Sequence, residues 1–292
     1  MIYTNNYGLP QSFYNAIVNN ALKREYYLRD TKAYLTTTGF TRGICESLLI
    51  KRHRDEIEVD VSRNVQSLLG QATHYILEQN KDDIEICEEP FIAEICGKRI
   101  AGIPDVYNTK TFKLSDYKTA MVFSYTLGDK VDYEIQLNIN KYLMELAGYE
   151  INELEIVYIF KDWTYNKAKY NCEYPQVPSL TIPINKWETE KTIHFMKNVI
   201  NDMIECDNSI DDDLPICTEH QRWHKDDTYA VKKEGRKSAV RVLNSMEDAE
   251  RYIVEKNLDK KHSIEHRVGE DTKCENYCNV KQWCPHYNKL QG

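Results

Sequence analysis

Long apolar runs are missing from this sequence of 292 residues. None approaches the ~20 consecutive apolar residues that a bilayer-crossing helix needs, which argues against a membrane partner. The opening Met1-Ile2-Tyr3-Thr4-Asn5 also lacks the charged-then-apolar layout of a secretion signal, so a cytoplasmic protein is expected. An excess of positive charge is missing too. The formal net charge is −8, which argues against a surface coated with the clustered Lys and Arg that nonspecific phosphate binding requires. Nor is the composition that of a disordered chain: 41% hydrophobic and 29% charged residues make an ordinary globular balance. The length suits one large domain or two small ones.

Cysteine is not scarce, and its number is informative because no secretion signal accompanies it. Nine cysteines in such a chain point to metal or cluster ligation rather than a disulfide framework. Cys274, Cys278 and Cys284 crowd the tail, while Cys45, Cys87, Cys96, Cys172, Cys206 and Cys217 are scattered. Three thiolates in so short a span suit one metal centre, and a tetrahedral site or a cubane needs a fourth. The spacing is looser than paired C-x2-C zinc knuckles and Pro285 follows the last cysteine, which favours a 4Fe-4S cluster, with zinc as the alternative.

The chain is organised around Gly102-Ile103-Pro104-Asp105 and Asp116-Tyr117-Lys118. Successive side chains of a strand point to opposite faces, so Asp116 and Lys118 share a face and Tyr117 points away. Strands over 100–107 and 111–118, joined at Asn108-Thr109-Lys110, would form a hairpin that brings Asp105 beside Asp116. Such hard oxygen ligands suit one or two Mg²⁺ or Mn²⁺ ions, and a lysine beside them can orient an attacking water and offset charge on a phosphate. D-x-K alone is more often a surface hairpin. The company it keeps matters more: Gly70-Gln71-Ala72-Thr73-His74 upstream and Gln136 on a helix downstream.

The ordered set G-x-x-x-H, G-x-P-D, D-x-K and E-x-Q-L-N resembles the RecB-like branch of the PD-(D/E)XK nucleases, and with the cysteine tail it is most similar to phage-encoded and CRISPR-associated iron-sulfur exonucleases. The resemblance runs from about Thr36 to the C-terminus. It implies an α/β restriction-endonuclease-like core, a central mixed sheet flanked by helices, with helical N-terminal and cysteine-rich C-terminal additions. It implies His74, Asp105 and Asp116 as metal ligands with the Tyr117 carbonyl, Lys118 as the catalytic lysine and Gln136 assisting. It implies Cys217 as the fourth cluster ligand, because phage relatives have a cysteine before a tryptophan such as Trp223; Cys45 is the runner-up. One departure is that the relatives' Q-x-x-x-Y would need a tyrosine where Asn140 stands. The implied activity is exonucleolytic hydrolysis of DNA, with single strands or free ends preferred, in phage recombination or CRISPR-type processing inside a bacterial host. A homo-oligomer or a recombination or CRISPR protein partner fits such an enzyme. The competing readings are a nuclease-fold binding module with weak or lost catalysis and a zinc-stabilised structural protein.

Along the chain, residues 1–60 read as a helical N-terminal region, 61–206 as the nuclease core and 207–292 as a cysteine-ligated subdomain. Periodicity predicts a helix over 61–79 with Val65, Leu69, Ala72 and Ile76 facing a core, then a meander of strands over 84–95, 99–107 and 111–118 with a tight turn at Gly97-Lys98. A helix over 132–147 should bury Ile135, Ile139, Tyr142 and Leu146. Strands over 154–160 and 179–184, a helix over 188–206, and a hairpin around Gly235 followed by a helix capped by Ser245 complete the expectation. Glu89 and Glu94 on the first strand read either as spare acids or as an exposed strand face. Lys51-Arg52-His53-Arg54 and the set Lys232, Lys233, Arg236, Lys237 and Arg241 are basic patches, each read as a solvated face or a DNA contact.

Overall fold

In the computed structural model, which describes residues 1–128, 130–258 and 260–291, the chain divides into two units, Met1–Ser209 and Ile210–Gly292. The architecture is mixed α/β. Among the described residues no helix is long and apolar enough to cross a membrane.

The first unit begins with β1 (Ile2–Thr4), α1 (Gln11–Thr31), β2 (Leu35–Thr36), α2 (Ile44–Arg52), β3 (Glu58–Asp60) and α3 (Val65–Glu78). β4 (Glu85–Cys87), β5 (Phe91–Ile95), β6 (Lys98–Gly102), β7 (Val106–Asn108) and β8 (Lys113–Ala120) follow. Then come α4 (Val122–Thr126), α5 (Val131–Leu146), β9 (Glu153–Phe160), α6 (Tyr165–Tyr170), β10 (Ser179–Ile184) and α7 (Thr189–Cys206). The main sheet has the order β10-β9-β8-β7-β4. β8 and β9 run parallel, joined through α4 and α5, and the other pairs are antiparallel. Residues 1–60 lie within this unit, where Leu35 pairs in parallel with Ile100.

β9 shows why the sheet has one apolar face: Leu154, Ile156, Tyr158 and Phe160 are buried while the residues between them are not, as a two-residue period requires. On the middle of α5, Leu137, Ile139, Leu143 and Met144 are buried. Each such side chain contributes roughly 1.5–3 kcal/mol on leaving water.

Five expectations need correction. The stretch over 84–95 is two strands in different sheets, broken at Glu88, whose φ of +54° is left-handed and whose N–H donates to the Pro104 carbonyl at 3.1 Å. The stretch over 99–107 is likewise broken at Ile103-Pro104-Asp105, because Pro104 has no N–H to give a ladder. β6 therefore pairs with β5 in a sheet β2-β6-β5, and β7 with β8. Thirdly, the apolar stripe of α3 does not face a core, and the helix has no fully buried residue. Leu69 and Ile76 are exposed, and the inner face carries Gly70, where a β-carbon would lie 3.4 Å from Thr119 Oγ1 of β8. The same holds for Leu146 of α5, which is exposed. The β5–β6 turn is built on Cys96 and Gly97, with φ of +51° and +66°, one residue earlier than expected and the backbone of a type I′ hairpin.

The second unit holds α8 (Glu219–Arg222), β11 (His224–Lys225), β12 (Thr228–Lys233), β13 (Arg241–Leu243), α9 (Met246–Glu255), β14 (His262–Arg267), β15 (Glu270–Asp271), α10 (Thr272–Asn276) and α11 (Pro285–Gln291). Its sheet has the order β13-β12-β14. Ser245 Oγ accepts the Asp248 N–H at 3.0 Å and caps α9, as the sequence signature implied.

Candidate metal centre

The β7–β8 hairpin supplies the first two acids. Val106 pairs with Ser115, so the next residues on each strand, Asp105 and Asp116, come together at the mouth of the ladder. Asp105 Oδ2 accepts the Tyr117 N–H at 2.7 Å. Asp116 is buried, with 7% of its surface exposed. Lys118 Nζ lies 2.5 Å from Asp116 Oδ2, a close ion pair rather than a well-angled hydrogen bond, and 5.4 Å from the centroid of the Tyr133 ring on α5.

α3 supplies the imidazole, because its glycine-bearing face lies against β8. His74 Nε2 is 3.2 Å from the Tyr117 carbonyl. His74 Nδ1 is 3.0 Å from Glu88 Oε1 and 3.6 Å from Asp105 Oδ1. Among the described residues, His74, Glu88 and Asp105 form a group whose ligand atoms lie within 4.8 Å of one another. His74, Asp105, Asp116, the Tyr117 carbonyl and Lys118 thus converge. Gln136 lies on α5, three residues after Tyr133, and among the described residues no hydrogen bond or ion pair ties it to the carboxylates.

Sequence reasoning missed Glu88 and named Glu89 and Glu94 instead, both of which are exposed. The left-handed break that turns Glu88 inward has no hydrophobic-period signature. The one local signal was Pro90, which restricts the residue before it and marks a break.

Charge is poorly balanced here. Burial, then the neighbouring Asp116 charge, pushes Asp105 up to about 7 against the pull of His74, Lys118 and the Tyr117 N–H. The hydrogen bond to Glu88 raises His74 to about 9, with the charges of Asp105, Glu88 and Asp116 reinforcing it against burial. Burial works to lower Lys118, but Asp116 and Asp105 outweigh it and hold the ammonium above its ordinary value. Three carboxylates face one lysine and one imidazole, and such a set accommodates either an extra proton or a hard divalent cation.

No protein-family model and no curated protein matches the sequence. Solved structures do. The chain is similar to SSO0001 (20% identity, TM-score 0.43, covering 60% of this chain and 76% of that one). It is similar to a phage-related exonuclease from Haemophilus somnus 129PT (13%, TM-score 0.31, covering 47% and 67%). It is also similar to an alkaline exonuclease, LHK-Exo, from Laribacter hongkongensis (14%, TM-score 0.37, covering 62% and 95%). Two of the three are exonucleases, the class that the motif order resembles. These identities and TM-scores are too low to transfer an activity.

The tail cysteines also lie near one another. Cys274 is buried, and its thiol is pushed up to about 12 by burial, then by Asp271 and by the thiols of Cys278, Cys284 and Cys217. All four cysteines proposed as cluster ligands therefore lie in one electrostatic neighbourhood within the second unit. Cys45, the runner-up, is buried in α2 of the first unit. Beside the thiols, the buried Asp271 carboxylate meets His224 Nδ1 at 2.7 Å, His286 Nε2 at 2.6 Å and Arg222 Nε at 3.3 Å. These partners outweigh burial and hold its pKa below the ordinary value. They also brace β11, β15 and α11 around the cysteines.

Proposed function

We propose that the chain is a divalent-metal-dependent DNA exonuclease of the RecB-like PD-(D/E)XK type, acting at DNA ends with a preference for single strands, in phage recombination or CRISPR-type processing. The observation that carries this reading is the convergence of His74, Asp105 and Asp116 beside Lys118, whose ammonium lies 2.5 Å from Asp116. One imidazole with hard carboxylate and carbonyl oxygens is a donor set suited to Mg²⁺ or Mn²⁺, held by His74, Asp105, Asp116 and the Tyr117 carbonyl. When bound, the ion supplies Lewis acidity at the phosphate and a lowered pKa for water.

Lys118 holds the attacking water and offsets negative charge developing on the phosphoryl oxygens. The water oxygen forms the new P–O bond as its proton passes to solvent, the bond to the leaving sugar oxygen breaks, and that oxygen takes up a proton from solvent. Asp116 fixes the Lys118 ammonium. Gln136 assists by hydrogen bonding at the edge of the site. In the second unit, Cys217, Cys274, Cys278 and Cys284 hold a 4Fe-4S cluster, with zinc as the alternative, and ligation of residue 217 with the tail makes folding of that unit depend on the centre.

An assay on end-labelled single- and double-stranded DNA with Mn²⁺, Mg²⁺ or EDTA tests the proposal. Metal-dependent cleavage that Lys118→Ala abolishes is the expected result. A wild type that binds DNA yet cuts nothing with any metal would replace the enzyme with a binding module.

A further inference from the structure

The second unit contains a hollow of about 470 Å³ at one end of its sheet. Lys232 and Lys233 enter it from the end of β12, and Lys260, Lys261 and His262 from the turn before β14 and its first residue. The two groups are far apart in sequence and are brought together by strand pairing. Lys232 stands opposite Ser263 and Lys233 opposite His262 in the antiparallel ladder, and the Glu234 N–H donates to the Lys261 carbonyl at 2.8 Å, closing the end of the ribbon. Ladder hydrogen bonds thus fix the positions of three lysine backbones, those of Lys232, Lys233 and Lys261.

Two acids also line the hollow, Glu234 and Glu265, and they leave a surplus of two positive charges there. Glu265 is engaged, with Lys232 at 2.7 Å and Arg267 at 2.8 Å. Lys233 and Lys260 are exposed and have no ion pair among the described residues. The surplus extends along the sheet. Residues 228–243 and 259–267 contain eight Lys and Arg against three Asp and Glu in a chain whose net charge is −8. Such a cationic island in an acidic protein costs self-repulsion unless an anion relieves it.

We propose that this hollow is a binding site for the phosphodiester backbone of DNA. Lysine ammoniums act as flexible point charges that take phosphates without fixed geometry, and three more basic residues lie close in the fold: Arg236 and Lys237 follow in the turn after β12, and Arg241 stands opposite Val231 on β13. A hollow with several lysines on neighbouring strands suits a polymer with repeating phosphates, whose binding gains from counterion release. The proposal rests on the nuclease reading for its choice of polymer, and it assigns strand holding to the second unit and chemistry to the first.

The test uses the full chain in EDTA, where no cutting occurs, with fluorescein-labelled single-stranded DNA and anisotropy read from 50 to about 300 mM salt, a range over which phosphate contacts are strongly screened. Lys233→Ala with Lys260→Ala should weaken binding about ten-fold and lower the log–log salt slope by about 1.4, two phosphates at about 0.7 each on a single strand. Lys256→Ala with Lys289→Ala, which removes the same charge from elsewhere in the second unit, should leave both nearly unchanged. With Mn²⁺ restored, hydrolysis of thymidine 5′-(p-nitrophenyl phosphate), too small to reach a second site, should be equal in all three proteins. An unchanged affinity and slope in the first pair, or an equal loss in the control pair, overturns the site while the small-substrate activity leaves the nuclease standing. Full competition by millimolar inorganic phosphate overturns it in favour of a free-phosphate site. A wild type without either DNA binding or hydrolysis sinks the nuclease reading and this proposal with it.

Discussion

Glu88 Oε1 lies 3.0 Å from His74 Nδ1, while the other ring nitrogen of His74 faces the Tyr117 carbonyl at 3.2 Å. A carboxylate on Nδ1–H keeps the lone pair on Nε2, so that under the proposed reading Nε2 would be free to ligate the metal, as outer carboxylates orient metal-binding histidines. Replacing Glu88 with Gln or Ala should lower Mn²⁺ affinity about 10–100-fold. Calorimetric titration of the metal-free protein reads this directly, and an affinity unchanged in Glu88→Ala would show that the carboxylate does not position the ring.

The same groups set a pH dependence for the metal-free protein. Asp105 titrates at about 7 rather than its ordinary 3.8, so between those values the folded state binds a proton that the unfolded state has released, and stability falls as pH rises. His74, raised from 6.5 to about 9, contributes stability that is complete below 6.5 and is lost as pH rises through 9. The melting temperature in EDTA should therefore fall from pH 5 to pH 9. Added Mn²⁺ should raise it more at pH 8 than at pH 6, because binding displaces those protons. Asp105→Asn should remove the slope below pH 7; a slope that persists there would assign it to other groups.

Gly102 of the central motif has a packing role. A β-carbon there would lie 2.3 Å from Asn140 Oδ1 and 2.8 Å from Leu143 Cδ1, so α5 approaches β6 only because that position has no side chain. Gly102→Ala should cost about 1–3 kcal/mol, the usual range for overpacking, measured by urea unfolding. Adding Asn140→Ala should recover part of the loss, since the two positions share one space. Additive effects in the double variant would place the strain elsewhere.

For the cysteine centre, protein purified without oxygen should carry iron and sulfide, and Cys217→Ser should lose most of both, whereas Cys45→Ser should retain them. Elemental analysis of the three proteins decides between Cys217 and Cys45. Zinc in place of iron would leave the ligand set intact and change only the centre it holds.

Much of the first unit was legible from pattern. β9, β10 and α7 appear where alternation and helical period put them, since both are local properties of the chain. Asp116 and Lys118 share a face for the same reason, and the turn at Asn108 follows from a side-chain oxygen that accepts the N–H groups of Lys110 and Thr111 at 3.1 and 3.0 Å. Periodicity groups residues on a face but does not say which face is covered, which is why the Leu69 and Ile76 stripe of α3 was assigned inward and lies in solvent.

By itself, then, the sequence determined the candidate side-chain types and their order: an imidazole, two aspartates, a lysine and a cysteine tail, each readable from neighbours a few positions away. Tertiary structure decided what meets what. The left-handed break at Glu88 and the missing N–H of Pro104 send consecutive strands into different sheets, which adds Glu88 to His74. Pairing of β12 with β14 brings Lys260 and Lys261 to Lys232 and Lys233. Those meetings depend on long-range hydrogen-bond ladders and on the burial of one face rather than another, and no local window of residues encodes either.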